Sequence, residues 1–167
     1  MKKYAVTKKQ PNSRMCAVCG LENDLSLKTE FFELENGEIA ALFTPTEKHQ
    51  GYPGRLHGGF ATAVLDELIG RAMNVNSDEE SWSVTAEITV KFLKAVPVGR
   101  RTRAVARITK RGGRVFEGSG EILLEDGSPA VEARARYMKF PFEKIAAGEL
   151  GWSVRPCETD PKEIELP

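Results

Sequence analysis

Hydrophobic residues change period several times along this chain, and each change marks an element. Leu25 to Leu34 and Glu38 to Phe43 read as two strands joined around Asn36-Gly37, a dipeptide suited to a tight hairpin because both residues tolerate positive φ. A stretch rich in turn formers follows from 44 to 56, with Pro45, Gly51, Pro53 and Gly54. Such a loop runs over the surface and often carries function. From Gly58 to Asn74 the pattern becomes helical. Placed at about 100° per residue, Phe60, Ala61, Val64, Leu65, Leu68, Ile69 and Ala72 fill one broad arc that only a core accommodates.

After the helix, Trp82, Val84, Ala86, Ile88, Val90 and Phe92 alternate with Ser83, Thr85, Glu87, Thr89 and Lys91, the period of a strand with one buried face. Segments 101–110, 114–125 and 130–140 repeat the theme, separated by Gly112-Gly113 and Asp126-Gly127, which read as hairpin turns. Antiparallel pairing follows. A single apolar helix ahead of a meander of long strands predicts an α+β chain of five to six strands, in which the sheet wraps the helix and covers its stripe. From Pro141 onward Pro and charge increase and periodicity is lost, which predicts an irregular C-terminal arm placed to cover an edge.

Composition narrows the function. At 167 residues one domain with tails is expected, divided as 1–24, 25–140 and an arm over 141–167. Lys+Arg and Asp+Glu both number 24, so no global field draws nucleic acid or a membrane surface, and any polyanion must be met locally. No stretch approaches the roughly 18 apolar residues of a span, and the first residues lack the apolar core of an export signal. The expected address is the cytoplasm. Three cysteines, an odd number, point to reduced thiols rather than a disulfide framework. Cys16 and Cys19 form one Cys-x-x-Cys, yet beyond them only Cys157, His49 and His57 could complete a zinc site of about four ligands, and all are distant. No metal and no cofactor are expected, and the thiols read as buried or idle.

Two histidines, with no Gly-x-Ser-x-Gly elbow, phosphate-binding loop or His-Glu-x-x-His, leave carboxylate chemistry. His57-Gly58-Gly59, directly before the helix, offers backbone N–H groups at the positive helix end, able to hold an oxyanion or simply to permit a sharp turn into a buried helix. Glu67 precedes Arg71 by four residues, the spacing of an ordinary ion pair, although its place beside Asp66 also puts it among the substrate-side candidates. Asp66 has no cation three or four residues away; its helical neighbours are Thr62, Ala63, Ile69 and Gly70. Ala63 and Gly70 leave room for a ligand, and Thr62 is a candidate hydrogen-bond donor. A solvated Asp on the polar edge is the competing reading.

The run His57-Gly58-Gly59 with Asp66 nine residues after the histidine, together with Ser83 to Lys94 and Tyr137-Met138-Lys139-Phe140, resembles the hotdog-fold acyl-CoA thioesterases, in particular the PaaI-like and thioesterase-superfamily-member group. The resemblance covers about 16 to 140. It implies a hotdog fold, with Asp66 as general base or nucleophile, Gly58 N–H on the thioester carbonyl, and Thr85 placing the water. Strict alternation, however, points Thr85 away from the apolar face. The family often carries an Asn six residues before that histidine; here Gly51 stands there, with Gln50 beside it to supply the amide and His49 as a poorer substitute.

The same resemblance makes acyl-CoA the substrate and a homodimer the working unit, with a dimer of dimers also admissible. His57 and Gly59 would border the substrate. The basic hairpin Lys110, Arg111, Gly113 and Arg114 is the candidate site for the nucleotide phosphates, with Arg100, Arg101 and Arg103 as a second cluster. Two rival readings stay open: a hotdog protein that binds acyl-CoA without hydrolysing it, and a hotdog hydratase or dehydratase built on His57.

Overall fold

The helix α1 runs from Gly58 to Arg71 and continues as a 3-10 turn through Ala72–Asn74, close to the span its apolar arc predicts. The structure, a computed structural model, describes residues 1–77, 81–148, 151–154 and 157–167. Ala61, Val64, Leu65, Leu68 and Ile69 are buried against a large antiparallel sheet. At Gly118 on that sheet a Cβ would stand 2.5 Å from Ile69 Cγ2, so the absent side chain is what lets the helix lie this close.

The strands are β1 (Lys2–Gln10), β2 (Glu30–Leu34), β3 (Ile39–Phe43), β4 (Gln50–Tyr52), β5 (Arg55–Leu56), β6 (Ser83–Phe92), β7 (Thr102–Lys110), β8 (Val115–Leu123), β9 (Pro129–Lys139) and β10 (Glu163–Leu166). Eight of them form one sheet in the order β10-β1-β2-β3-β7-β8-β9-β6, while β4 and β5 make a small separate hairpin. A helix wrapped by an antiparallel sheet is the hotdog fold.

Eight strands replace the five to six read from periodicity, because the additional pair sits at one edge. β1 has no apolar alternation to announce it: its sequence is KKYAVTKKQ, with four Lys among nine residues and burial confined to its middle and last residues. It pairs with β2 on one side and β10 on the other. Where an irregular arm is predicted, the chain therefore ends in a strand. Ile164 and Leu166 pack with Phe32, Leu34, Leu42, Val105 and Leu123 as a second apolar cluster on the sheet face away from α1. This explains why every residue of β3 is buried, on both faces. The first predicted strand is also shorter than its apolar run, starting at Glu30 rather than Leu25.

β6 forms the other edge, paired only with β9 among the described residues. Its register slips at Ala86: Thr85 faces Tyr137 and Glu87 faces Arg136, leaving Ala86 unpaired. Such a bulge exchanges the two faces of a strand. Thr85 therefore lies opposite Tyr137 on the same face as Ile88 opposite Ala135 and Val90 opposite Ala133, the face covered by α1. The uninterrupted alternation from Trp82 to Phe92 is thus corrected. Among the described residues no helix is long and apolar enough to cross a membrane.

Candidate active site

Asp66 stands half-buried on the side of α1 that meets β6 and β9. Thr85 Oγ1 donates to its Oδ1 at 2.8 Å. The hydroxyl of Tyr137 lies 2.7 Å from the Asp66 carbonyl oxygen and 3.0 Å from Oδ1, sharing its proton between the two. Burial, followed by the nearby Asp66 charge, pushes the Tyr137 phenol above its ordinary pKa, so it remains a donor at any working pH. No cation pairs with Asp66 among the described residues. The carboxylate is thus oriented by two neutral hydroxyls. Thr62, the neighbour considered as a donor, bonds instead to the Gly58 carbonyl at 2.9 Å, an ordinary helical back-bond.

At the start of α1 the two glycine N–H groups differ. Gly59 N–H is taken by Nδ1 of His57 at 2.9 Å, so His57 caps the helix and is placed with its other ring nitrogen outward. Gly58 N–H has no acceptor among the described residues. It lies beside a groove of ≈ 390 Å³ lined by Tyr52, Leu56, Gly58, Ala61, Phe92 and Val131, which does not reach Asp66. The rim is apolar and open: Tyr52 is 81%, Phe92 58% and Leu93 51% exposed. Gln50 Oε1 accepts from Gly54 N–H at 3.2 Å, which steadies the β4–β5 hairpin and leaves its amide NH2 outward. His49 is corrected as a substitute: it is 3% exposed, its Nδ1 bonds Thr46 N–H at 2.9 Å, its Nε2 meets Leu25 O at 3.1 Å, and its ring packs edge-on against Phe60.

Glu67, next along the helix, is engaged on both oxygens. Arg71 donates to Oε1 from Nε at 2.9 Å and from its terminal nitrogen at 2.7 Å, and Cys16 Sγ lies 3.1 Å from Oε2. This is the ion pair its spacing predicts, extended by a thiol 51 residues earlier. Of the basic hairpin, Lys110 is 3.8 Å from Glu117, Arg111 rests on Met73 Sδ, and Arg114 lies over the Phe140 ring. Gly113 opens to solvent. Lys139 N–H bonds Arg114 O, which sets this hairpin at the end of the sheet where Thr85 and Tyr137 stand. In the second cluster Arg100 pairs with Glu125 and Arg103 holds the Glu165 and Glu125 carbonyls, so Arg103 serves to fasten β10. Tyr137 is the site residue that sequence reading quoted without a role; its place opposite Thr85 depends on the bulge.

A family model described as "Thioesterase superfamily" matches residues 53–131, which hold α1, its His-Gly-Gly cap, Asp66 and Thr85. Residues 53–131 are a thioesterase-superfamily domain. The thioesterase-superfamily fold recurs in a solved thioesterase superfamily protein, 26% identical with a TM-score of 0.67, covering 75% of this chain and 60% of the other. It recurs in the PaaI protein of the Escherichia coli phenylacetic acid degradation operon, at 18% identity and TM-score 0.61 over 69% of this chain and 81% of that one. Zebra fish thioesterase superfamily member 2 gives 18% identity and TM-score 0.62 over 74% and 88%. An uncharacterized Schizosaccharomyces pombe protein is 30% identical over 107 residues, 63% of this chain; the chain spans 61% of that relative's length.

Proposed function

We propose that the chain is an acyl-CoA thioesterase that works as a homodimer, with Asp66 of one copy facing the helix start of the other. The observation that carries this is the Asp66 carboxylate itself, held by Thr85 and Tyr137 without a neutralising cation among the described residues. A thioester has an activated carbonyl and a stable thiolate leaving group, so one base and one oxyanion donor suffice. Asp66 takes a proton from water, the resulting hydroxide adds to the carbonyl carbon, the oxyanion receives Gly58 N–H, and the CoA thiolate departs.

Geometry within one chain argues for two copies. Gly58 and Asp66 are eight residues apart on one helix, about 12 Å along its axis at ~1.5 Å per residue, too far for one carbonyl group to meet both. Among the described residues β6 supplies an unpaired edge ten residues long, and the apolar rim around Gly58 is open to a partner. A twofold dimer that joins these edges puts a donor and a base from different chains at each of two sites. Gln50 then has its amide free for the water, and Arg111 and Arg114 stand at the end of the sheet to meet the CoA phosphates.

A thiol-release assay over short, branched, medium-chain and aryl-CoA substrates tests the reading, with Asp66→Asn as the decisive variant. The expected outcome is hydrolysis of at least one acyl-CoA by the wild-type chain and its loss in the variant. Retention of near-wild-type turnover by Asp66→Asn removes the assignment, and binding of acyl-CoA without thiol release returns the chain to the binding-protein reading.

A further inference from the structure

The thioesterase reading leaves the two N-terminal thiols unused, yet each is held by several polar contacts. The segment turns tightly at Cys16–Cys19. Gly20 N–H donates to the Cys16 carbonyl at 2.8 Å, and Val18 N–H donates to Cys16 Sγ at 3.2 Å. A Cβ on Gly20 would stand 2.4 Å from the Cys16 oxygen, so this turn requires glycine. Ser13 N–H approaches Cys19 Sγ at 3.5 Å, and Arg71 reaches the same sulfur at 3.4 Å. Each sulfur is thus met by a backbone N–H, Cys19 by a guanidinium as well, while the Cys16 thiol donates to Glu67 Oε2 at 3.1 Å.

Opposite the turn stands Glu67, whose Oε2, the oxygen not held by Arg71, accepts from Cys16. The two sulfurs and a Glu67 oxygen all lie within 4.8 Å of one another, so shifts of under about 1 Å bring them to the roughly 2.0–2.3 Å that zinc keeps from oxygen and sulfur ligands. Arg71 fixes the carboxylate through its other oxygen, as an outer partner of a metal ligand does. Charge agrees: two thiolates, one carboxylate and one guanidinium sum to two negative charges, which one divalent ion cancels. A disulfide fits less well, since it would consume both sulfurs and leave the Glu67 oxygen, in a side chain only 19% exposed, without its partner.

We propose that Cys16, Cys19 and Glu67 bind a zinc-class divalent ion, with the fourth position taken by water on the half-exposed Cys16 side, and that this ion clips the N-terminal segment to α1 next to Asp66. Binding releases the thiol protons to solvent and changes no oxidation state. This replaces the expectation of no metal: counting Cys and His along the sequence omits a carboxylate that the fold delivers from a helix. The proposal does not rest on the hydrolase reading.

The test uses the full chain, expressed with added zinc and exchanged into metal-free buffer. Elemental analysis is expected to find about one zinc per chain. Replacement by cobalt should give a near-ultraviolet thiolate-to-metal charge-transfer band, lost in Cys16→Ser and in Cys19→Ser and kept in Cys157→Ser. Arg71→Gln should weaken metal binding by about 10- to 100-fold while keeping the band at saturating cobalt. If the ligand variants fail to fold, chelation of the wild-type chain gives the second readout: a lowered melting temperature that zinc restores. Metal far below stoichiometric together with no charge-transfer band on cobalt addition overturns the proposal. So does a mass two hydrogens lower, which would identify a disulfide.

Discussion

Asp66 and Glu67 are neighbours on one helix and share a chemical group, but α1 turns them toward opposite kinds of surroundings. Asp66 looks to the sheet edge, where it meets two hydroxyls and, among the described residues, no cation. Glu67 looks to the N-terminal segment, where a guanidinium and a thiol take both of its oxygens. Hydroxyls orient a carboxylate without quenching it, whereas an ion pair of this geometry spends the charge on cohesion. A rotation of about 100° between adjacent residues is enough to separate reactivity from anchoring.

Replacing the acid with its amide at each position separates the two roles most directly. Asp66→Asn should lower kcat by about 10²- to 10⁴-fold with little change in melting temperature, read by steady-state thiol release and a thermal melt. If Glu67→Gln produced the larger kinetic loss, the division of labour would be the reverse of that argued here. The oxyanion donor comes next. Gly58→Pro removes one N–H at the first helical position, where proline is tolerated, and His57 already has the ψ of 135° that a residue before proline needs. A fall in kcat of about 10²- to 10³-fold is expected. Mixing Asp66→Asn chains with Gly58→Pro chains should restore roughly a quarter of wild-type activity, because half the dimers are mixed and each carries one intact site.

Smaller effects sharpen the contrast. Thr85→Val removes a hydrogen bond to a charged group and should lower kcat/KM by roughly 10- to 100-fold. Glu67→Gln should lower stability by about 1.5–3 kcal/mol in a denaturant titration, the loss expected for hydrogen bonds to a charged group. Replacing Arg111 and Arg114 with Ser should raise KM severalfold and leave kcat nearly unchanged, since exposed phosphate contacts bind without taking part in the chemistry.

Periodicity made the middle of the fold legible. The helix from Gly58, the four long strands after it and the hairpins at Gly37 and Gly127 are local patterns, and each element lies within a few residues of its expected limits. The edge pair β1 and β10 was not legible, because its burial depends on an apolar cluster assembled from strands more than a hundred residues apart. Asp66 stood out because its helical neighbours include no cation, which spacing alone reveals. Thr85 was placed by resemblance while its alternation pointed outward, and nothing in the composition of β6 announces the slip at Ala86. Tyr137 and Cys16 reach the helix through contacts across 71 and 51 residues, a distance no spacing rule spans.

That slip at Ala86 makes strand length a determinant of chemistry. Kept at its present length but paired without the slip, the strand would present Val84 to the helix instead of Thr85 and strip Asp66 of its serving hydroxyl, whereas a strand lacking Ala86 would keep Thr85 opposite Tyr137. When relatives are aligned with this chain, a gap at that position is therefore compatible with an inward hydroxyl, while a gap or insertion elsewhere between Thr85 and Ile88 without a matching slip turns it to the other face.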